Sequence, residues 1–234
     1  DWFRKHENNR RPDVNIKHPN YVFSLHIKGT DVQISIDASN ASLHKRSYRF
    51  DGGTAPLNEV LAAGIIALSN WDRKMPFVDG MCGSGTLTIE ALMRTNNKPA
   101  GFDRRIFGFM NWPNFDQNLW DRLKQEAEDN IKIEYPNIKG IEIDGKVLAL
   151  AKENMVRAGF KPIHHLESDD FFNYKPKEKE GVLFLNPPYD ERIKDEHINE
   201  FYQRIGDHLK HHYTGWTAWI ISSNVEARKH IGLR

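Results

Sequence analysis

Residues 76–92 read PFVDGMCGSGTLTIEAL, and this stretch decides the fold. A short apolar run ends at Asp79, a glycine-rich turn follows, and apolar residues then recur at helical spacing. Glycines let a backbone turn sharply and approach a ligand closely. The start of the following helix offers N–H groups that have no partner within the helix. The stretch therefore predicts a strand, a ligand-binding turn and a helix in direct succession.

Strands and helices alternate outward from this stretch. The predicted strands cover residues 76–79, 138–143, 163–167, 182–185 and 217–222, the last of them buried-looking. The first predicted helix opens at Pro56, with an apolar face from Leu57 to Leu68. A second follows the glycine-rich turn and carries Leu87, Ile89, Ala91 and Leu92, and further helices cover residues 119–133, 146–158 and 198–209. This order implies an α/β fold with a doubly wound, mostly parallel sheet. Ligands of such sheets bind beyond the carboxyl ends of the strands.

The glycine-rich turn differs from two common phosphate-binding turns. Thr88 stands where a dinucleotide-binding turn would have its third glycine, and no Gly-Lys-Ser/Thr sequence is present. The acidic Asp79 favours a cationic ligand group. S-adenosylmethionine (SAM) carries an ammonium and a sulfonium and no phosphate. We therefore predict SAM as the cofactor, bound by Asp79 and by the turn residues Gly80, Cys82, Gly83, Ser84, Gly85 and Thr86.

Three further acidic residues complete the predicted cofactor site. Asp144 follows a strand, where an acidic residue commonly binds ribose hydroxyls. Its distance from Asp79 exceeds the usual spacing of about 20 residues, which an insertion over residues 96–133 explains. Asp169 and Asp170 could accept a hydrogen bond from the adenine amino group, and Phe171 or Phe172 could pack on the ring. The two aspartates fit a turn cap equally well.

The sequence Asn186-Pro187-Pro188-Tyr189 directly follows an apolar strand. The exocyclic amino group of a nucleobase is a poor nucleophile, because its lone pair is delocalised into the ring. Two acceptors, the side-chain oxygen of Asn186 and the carbonyl of Pro187, would favour a more tetrahedral nitrogen and stabilise the positive charge that develops on it. The prolines stiffen the loop, and Tyr189 can stack on a base that has been extracted from its own stack. These four residues are the predicted catalytic residues, and Asn186 is also expected to contact the cofactor.

These motifs resemble those of class I methyltransferases, and more narrowly the THUMP-associated RNA guanine-N2 methyltransferases of the UPF0020 family. Residues 42–49 resemble the link into the catalytic domain, where the family often has Gly in place of Ser47. Residues 55–63 resemble the helix that packs beside the cofactor, and residues 78–90 and 186–192 resemble the cofactor and catalytic motifs. Residues 108–112 resemble an insertion of bacterial large-subunit rRNA methyltransferases. The resemblance implies transfer of a methyl group from SAM to the N2 amino group of a guanine in RNA, in 23S ribosomal RNA.

The resemblance also implies a division into domains. Residues 1–43, with an expected hairpin of strands 21–27 and 32–36, would be the tail and linker of a THUMP-like RNA-binding domain. Residues 44–234 would be the methyltransferase domain. A complete catalytic sheet of this family has seven strands, so we expect a chain that is truncated at both ends.

Composition narrows the function classes without selecting one. The chain of 234 residues is 39% hydrophobic and 28% charged, with a net charge of +1. It has no apolar run of about 18 residues, so a membrane span is not expected. The single cysteine excludes an internal disulfide and fits a reducing cytoplasm. Eleven histidines occur without a metal-binding spacing, so no metal is expected. The sequence does not determine the oligomeric state.

Two other functions remain open from the residues alone. An adenine-N6 methyltransferase of DNA or RNA would use the same Asn-Pro-Pro-Tyr chemistry. A non-catalytic module that binds SAM and RNA would keep the cofactor motifs without methyl transfer. Basic residues that crowd the amino terminus could contact RNA phosphates in any of these proteins, and a solvated surface explains them equally well.

Overall fold

The computed structural model describes residues 2–17, 19–49, 56–134, 136–188 and 195–233, with only the backbone of residues 195 and 196. These residues form two compact units. The first contains residues 1–43 and 104–121, and the second contains residues 44–103 and 122–234.

The first unit contains a β-hairpin with one apolar face. Strands β1 (Phe23–Lys28) and β2 (Asp31–Ile36) pair antiparallel, and Leu25 lies opposite Ile34. Helix α1 (Trp2–His6) precedes them, and a 3₁₀ turn (Gly108–Asn111) belongs to the same unit. Six apolar side chains alternate with polar ones along the hairpin and are exposed: Phe23, Leu25, Ile27, Val32, Ile34 and Ile36. The hairpin is present as expected, whereas its assignment to a THUMP-like domain stays a prediction.

The second unit contains a five-stranded parallel sheet with the strand order β5-β4-β3-β6-β7. This confirms the predicted α/β class and the parallel sheet. The strands are β3 (Phe77–Asp79), β4 (Ile138–Glu142), β5 (Leu166–Ser168), β6 (Gly181–Leu185) and β7 (Trp216–Ile220). The helices are α2 (Glu59–Leu68), α3 (Thr86–Thr95), α4 (Gln117–Asp129, which begins in the first unit), α5 (Gly145–Arg157) and α6 (Asp195–His212).

The central strand β3 is buried along its whole length, and its ring Phe77 stacks on Phe184 of β6 at 4.8 Å between centroids. Apolar burial of this kind is the main favourable contribution to folding. Because β4 and β6 flank β3 in parallel register, the carboxyl ends of these strands lie side by side. The glycine-rich turn and the Asn-Pro-Pro sequence therefore emerge at the same edge of the sheet.

Helix α2 differs from its prediction in its start and its buried face. It begins at Glu59 because the side chain of Asn58 accepts hydrogen bonds from the first free N–H groups. Its fully buried residues are Glu59, Ala62 and Ile66, whereas Val60 is 49% exposed and Leu68 is 72% exposed. The helix is apolar around most of its circumference, so the spacing of apolar residues could not select the buried face.

Two strands also differ from the expectations. Strand β7 was expected to be buried, but Trp216–Ile220 has no fully buried residue, because it pairs only with β6 within the described sheet. Strand β5 begins at Leu166, three residues later than expected. Residues Pro162–His164 form a 3₁₀ turn instead, and proline suits the first position of such a turn.

Candidate active site

A cavity of about 560 Å³ opens at the carboxyl ends of the strands in the second unit. This volume is typical of a site for a small ligand. Nine of the residues predicted for the site line it: 80, 83, 84, 169–171 and 186–188. Asp79, Cys82, Gly85, Thr86 and Asp144 do not line it, and Tyr189 lies outside the described residues.

Asp79 lies beneath the turn and is fully buried. Its Oδ2 accepts hydrogen bonds from the hydroxyl of Thr88 at 2.9 Å and from the backbone N–H of Thr88 at 3.2 Å. Its Oδ1 has no hydrogen-bond partner among the described residues. Burial raises the pKa of Asp79 to about 7, although the hydrogen bonds from Thr88 oppose this. An orphaned buried acceptor suits a cationic ligand group that arrives with its own N–H donors.

Thr88 explains why this turn lacks the third glycine of a dinucleotide-binding turn. Its side chain and backbone both donate to the carboxylate that ends β3. A glycine would remove the hydroxyl donor from a fully buried acid. Threonine therefore replaces the third glycine because its side chain makes a specific contact with Asp79.

The turn is held from below by strand β4. The N–H of Cys82 donates to the carbonyl of Ile141 at 2.9 Å, and the N–H of Gly83 donates to Oε2 of Glu142 at 2.9 Å. Gly140 permits this close approach, because a Cβ there would lie 2.5 Å from the hydroxyl oxygen of Thr88. Cys82 is buried, and burial raises the pKa of its thiol well above the usual value. Cys82 therefore has a structural role, in which its backbone N–H holds the turn against β4, and it does not act as a nucleophile.

The acidic residue at the carboxyl end of β4 that lines the cavity is Glu142, which was not among the predicted site residues. Glu142 lines the cavity and accepts the N–H of Gly83. Asp144 instead caps helix α5, where its Oδ1 accepts from the N–H groups of Lys146 and Val147. The ribose role of Asp144 therefore stays a prediction, and Glu142 is a second candidate for it because it lines the cavity. The alternation of acids in GIEID was the available signal, but the end of the strand was needed to choose between them.

Asp169, Asp170 and the two phenylalanines after β5 all line the cavity. Asp169 accepts the N–H of Asp170 at 2.8 Å, and Asp170 accepts the N–H of Phe172 at 3.0 Å, so both carboxylates also order the turn. Phe171 is 3% exposed and packs into the core. Phe172 is more exposed and carries the guanidinium of Arg204 at 4.2 Å from its ring centroid.

Asn186, Pro187 and Pro188 follow β6 and line the same cavity as the glycine-rich turn. The N–H of Gly80 donates to the carbonyl of Phe184 at 2.9 Å and so joins the start of the glycine-rich turn to β6, the strand that precedes Asn186. A side chain on Gly80 would collide with Leu185 and Phe171, at 2.6 and 2.7 Å from its Cβ. The structure therefore places residues Asn186–Pro188 of the predicted catalytic loop at the same cavity as the predicted cofactor turn.

Helix α5 and the segment before α2 supply lining residues that the motifs did not indicate. Asn154 is fully buried, lines the cavity and donates through Nδ2 to the carbonyl of Ser84 at 3.1 Å. Arg49 also lines the cavity and donates to the hydroxyl of Thr86, the first residue of α3. Thr86 itself is buried, so it reaches the cavity through Arg49.

The lining of the cavity fits SAM in its chemistry. Glu142 can accept from ribose hydroxyls, and Phe172 offers an aromatic face to adenine. The orphaned oxygen of Asp79 lies beneath the turn. Among the described residues, no cluster of three or more His, Cys, Asp or Glu residues could hold a metal ion. In the same part of the chain no helix is long and apolar enough to cross a membrane.

Comparison with known proteins gives one family. The model of the UPF0020 family, described as the RMKL-like methyltransferase domain, matches residues 46–234. A protein from Synechocystis sp. that is named as an RNA methyltransferase is 38% identical over 96% of this chain. The ribosomal RNA large subunit methyltransferase K/L of Desulfotalea psychrophila is 36% identical over 94% of this chain. The chain spans 59% of the length of the first relative and 32% of the second.

Solved structures give the same fold. The crystal structure of SMU.472, which is named as a methyltransferase and is complexed with S-adenosylhomocysteine (SAH), has a TM-score of 0.83 and 32% identity. The match covers 91% of this chain and 55% of that chain. A Listeria monocytogenes protein named as an N6-adenine-specific DNA methylase has a TM-score of 0.81 and 32% identity, with 91% and 56% covered. The first of these structures contains the demethylated product of SAM.

Proposed function

The chain belongs to the RMKL-like methyltransferase domain family with SAM as its cofactor, and we propose that it methylates the exocyclic N2 amino group of a guanine in RNA. The proposed RNA is the 23S ribosomal RNA. The observation that carries the proposal is the single cavity shared by the Asn186–Pro188 loop and the glycine-rich turn. The names of the relatives support RNA as the substrate class.

The residues of the chain account for the chemistry of the amino group. SAM, when bound, supplies a methyl group that is activated by the positive sulfur. The side-chain oxygen of Asn186 and the carbonyl of Pro187 accept hydrogen bonds from the two N–H groups of the base. These hydrogen bonds keep the nitrogen lone pair directed at the methyl carbon. With SAM bound, the lone pair would form the new N–C bond as the C–S bond broke with its electrons left on sulfur, and the nitrogen would then release a proton to solvent. Pro187 is buried and holds its carbonyl in place.

Selection of the base rests on two further features. Tyr189 is proposed to stack on the extracted base, a contact worth roughly 1–3 kcal/mol per base. Residues 1–43 are proposed to bind RNA as the tail of a THUMP-like domain. The exposed apolar face of the hairpin supports this origin, because a small hairpin rarely leaves a whole apolar face uncovered.

Replacing Asn186 by Ala tests the mechanism. We expect methyl transfer to RNA to fall roughly 100- to 1000-fold, as for the loss of one preorganised polar contact in other enzymes, while SAH binding measured by calorimetry persists. Asn173→Ala is the matched control, since Asn173 is an exposed asparagine that does not line the cavity. Equal rates for Asn186→Ala and wild type would refute the mechanism, and no methyl transfer by the wild type would favour a non-catalytic SAM- and RNA-binding module.

An adenine-N6 methyltransferase is the second candidate, because the name of the Listeria protein of similar structure points to it. The acceptors of Asn186 and Pro187 suit the amino group of adenine as well as that of guanine, because each amino group has two N–H donors. Nucleosides from methylated RNA and DNA, separated by mass spectrometry, decide between them. N2-methylguanosine from RNA supports the proposal, whereas N6-methyladenine in either nucleic acid would replace it.

A further inference from the structure

We infer that Arg49 binds the carboxylate of the amino-acid end of SAM and thereby fixes the direction of the cofactor in the cavity. The residue lies outside the motifs that indicated the cofactor site. It belongs to the segment before α2, yet it lines the cavity next to the glycine-rich turn. The inference rests on SAM as the cofactor and not on the identity of the methylated base.

Three contacts hold the Arg49 side chain in place. Its Nη1 pairs with Oε1 of Glu59 at 3.0 Å, and its Nη2 donates to the carbonyl of Leu57 at 3.2 Å and to the hydroxyl of Thr86. The arginine side chain is 19% exposed and Glu59 is 3% exposed. An arginine side chain has five N–H donors, so these partners orient the guanidinium without using all of its donors. A fixed guanidinium loses little further freedom when it binds a carboxylate.

The charges around the cavity favour this place for the carboxylate. The acidic lining residues Glu142, Asp169 and Asp170 would repel it. Of the described residues that line the cavity, the arginines are Arg49 and Arg204. Arg204 lies on α6, and its guanidinium packs on the ring of Phe172, a residue that follows β5 and the two aspartates in the chain. Arg49 instead contacts the first residue of α3, whose amino-terminal end carries a partial positive charge.

This placement of the carboxylate also determines where the ribose and the adenine of the cofactor lie. With the carboxylate at Arg49, the ribose lies toward Glu142 and the adenine toward Phe172, following the order of the strands β3, β4 and β5. Asp79 beneath the turn lies at the amino-acid side of this path. The opposite direction would place the carboxylate beside Asp169 and Asp170 and would leave the aromatic Phe172 without the adenine.

The test compares SAH with decarboxylated SAH, two ligands that differ only in the carboxylate. Calorimetry gives the affinity of each ligand for the wild type and for Arg49→Gln. The wild type should bind SAH roughly 10- to 100-fold more tightly than the decarboxylated ligand, the size expected for hydrogen bonds to a charged group. Arg49→Gln should bind SAH more weakly and the decarboxylated ligand almost unchanged, so that the ratio falls to about threefold or less.

Two matched variants separate binding from structural support. Arg46 is the neighbouring arginine, whose Nε lies 3.0 Å from Oε1 of the buried Glu90 and which does not line the cavity. Arg46→Gln should keep the wild-type ratio, and so should Arg204→Gln. If Arg49→Gln does not fold, as judged by circular dichroism, Arg49→Lys replaces it and should lower the ratio in part, because lysine keeps the charge but loses the paired donors.

Three results would overturn the inference. The wild type could bind both ligands equally, Arg49→Gln could weaken both by the same factor, or the ratio could collapse in Arg204→Gln instead, which would reverse the cofactor. The binding experiment contains no RNA, so a failure to methylate guanine leaves its outcome unaffected.

Discussion

Asp79→Asn should change how the stability of the cofactor-free protein depends on pH. Burial raises the pKa of Asp79 from 3.8 to about 7 in the folded protein. A carboxyl whose pKa is higher in the folded state stabilises the fold fully below its unfolded pKa, and this stabilisation is lost as the pH rises toward the folded pKa. The wild type therefore loses stability from this group between about pH 4 and pH 7, whereas asparagine has no charge to bury.

The size of the effect follows from the shift. A shift of roughly three units at about 1.36 kcal/mol per unit corresponds to roughly 4 kcal/mol over the whole range, of which roughly 2.5 kcal/mol falls between pH 5 and pH 8. The new amide N–H groups would lie in the same buried position, where Oδ1 has no partner among the described residues. That cost of about 1–3 kcal/mol does not vary with pH. Only the pH dependence is therefore a clean measure of the buried charge.

Urea denaturation of both proteins at pH 5 and pH 8 provides the measurement. The difference in unfolding free energy, variant minus wild type, should be roughly 2.5 kcal/mol more favourable to the variant at pH 8. Burial also raises the pKa of Glu90 to about 7, but Glu90 is present in both proteins and cancels. A difference that stays constant within about 0.5 kcal/mol would show that Asp79 is ionised at both pH values and that the reasoning is wrong.

Three other predictions concern the surroundings of the site. Ser47 has a φ of 69°, so Ser47→Gly should raise the unfolding free energy by roughly 0.5–1 kcal/mol in a thermal melt; no gain would contradict the strained backbone. Glu142→Gln should weaken SAH binding about tenfold or more, whereas Asp144→Ala should cost about 1 kcal/mol of stability as a lost helix cap and leave SAH binding within about twofold. Gly140→Ala should reduce SAH affinity and stability together, because its Cβ would collide with Thr88.

The fold could be predicted from the sequence because its strands are short apolar runs that each end in a turn residue. The run before Asp79 and the run before Asn186 both became buried strands at the expected places. The buried face of a helix and the exposure of a strand could not be predicted in the same way. Apolar residues continue around α2, and the exposure of β7 depends on its position in the sheet, which no local pattern records.

The parts of the candidate site that could be predicted are those formed by consecutive residues with a recognisable motif. The turn after β3 and the loop after β6 have such motifs, and both reach the cavity. Asn154 and Arg204 have none, and the stretch 42–49 that contains Arg49 indicated a link between domains rather than a cofactor contact. Ser47 shows an intermediate case. The glycine that the resembling family often has there is explained by the positive φ, a reason that the sequence alone could not supply.

The connection of the first unit to the rest of the chain limits how the protein can be divided. Residues 104–121 belong to the first unit although they follow α3 of the methyltransferase sheet. Within that unit Arg104 donates to the carbonyl of Ala41 at 2.6 Å, and Tyr21 donates to the carbonyl of Asn111 at 2.6 Å. Gly108 lies so close to the chain that a Cβ there would approach the carbonyl oxygen of Asp37 to 2.5 Å.

A cut after residue 43 would therefore remove partners from a segment that stays in the remaining fragment. The polar groups of residues 104–111 would lose hydrogen bonds to residues 20–41. The expected domain boundary at residue 43 stays a prediction, and residues 104–121 belong to the same unit as residues 1–43. Because the chain enters the first unit twice, the segment before the methyltransferase sheet and the insertion within it have to fold together, which makes the aromatic insertion a structural part of the first unit.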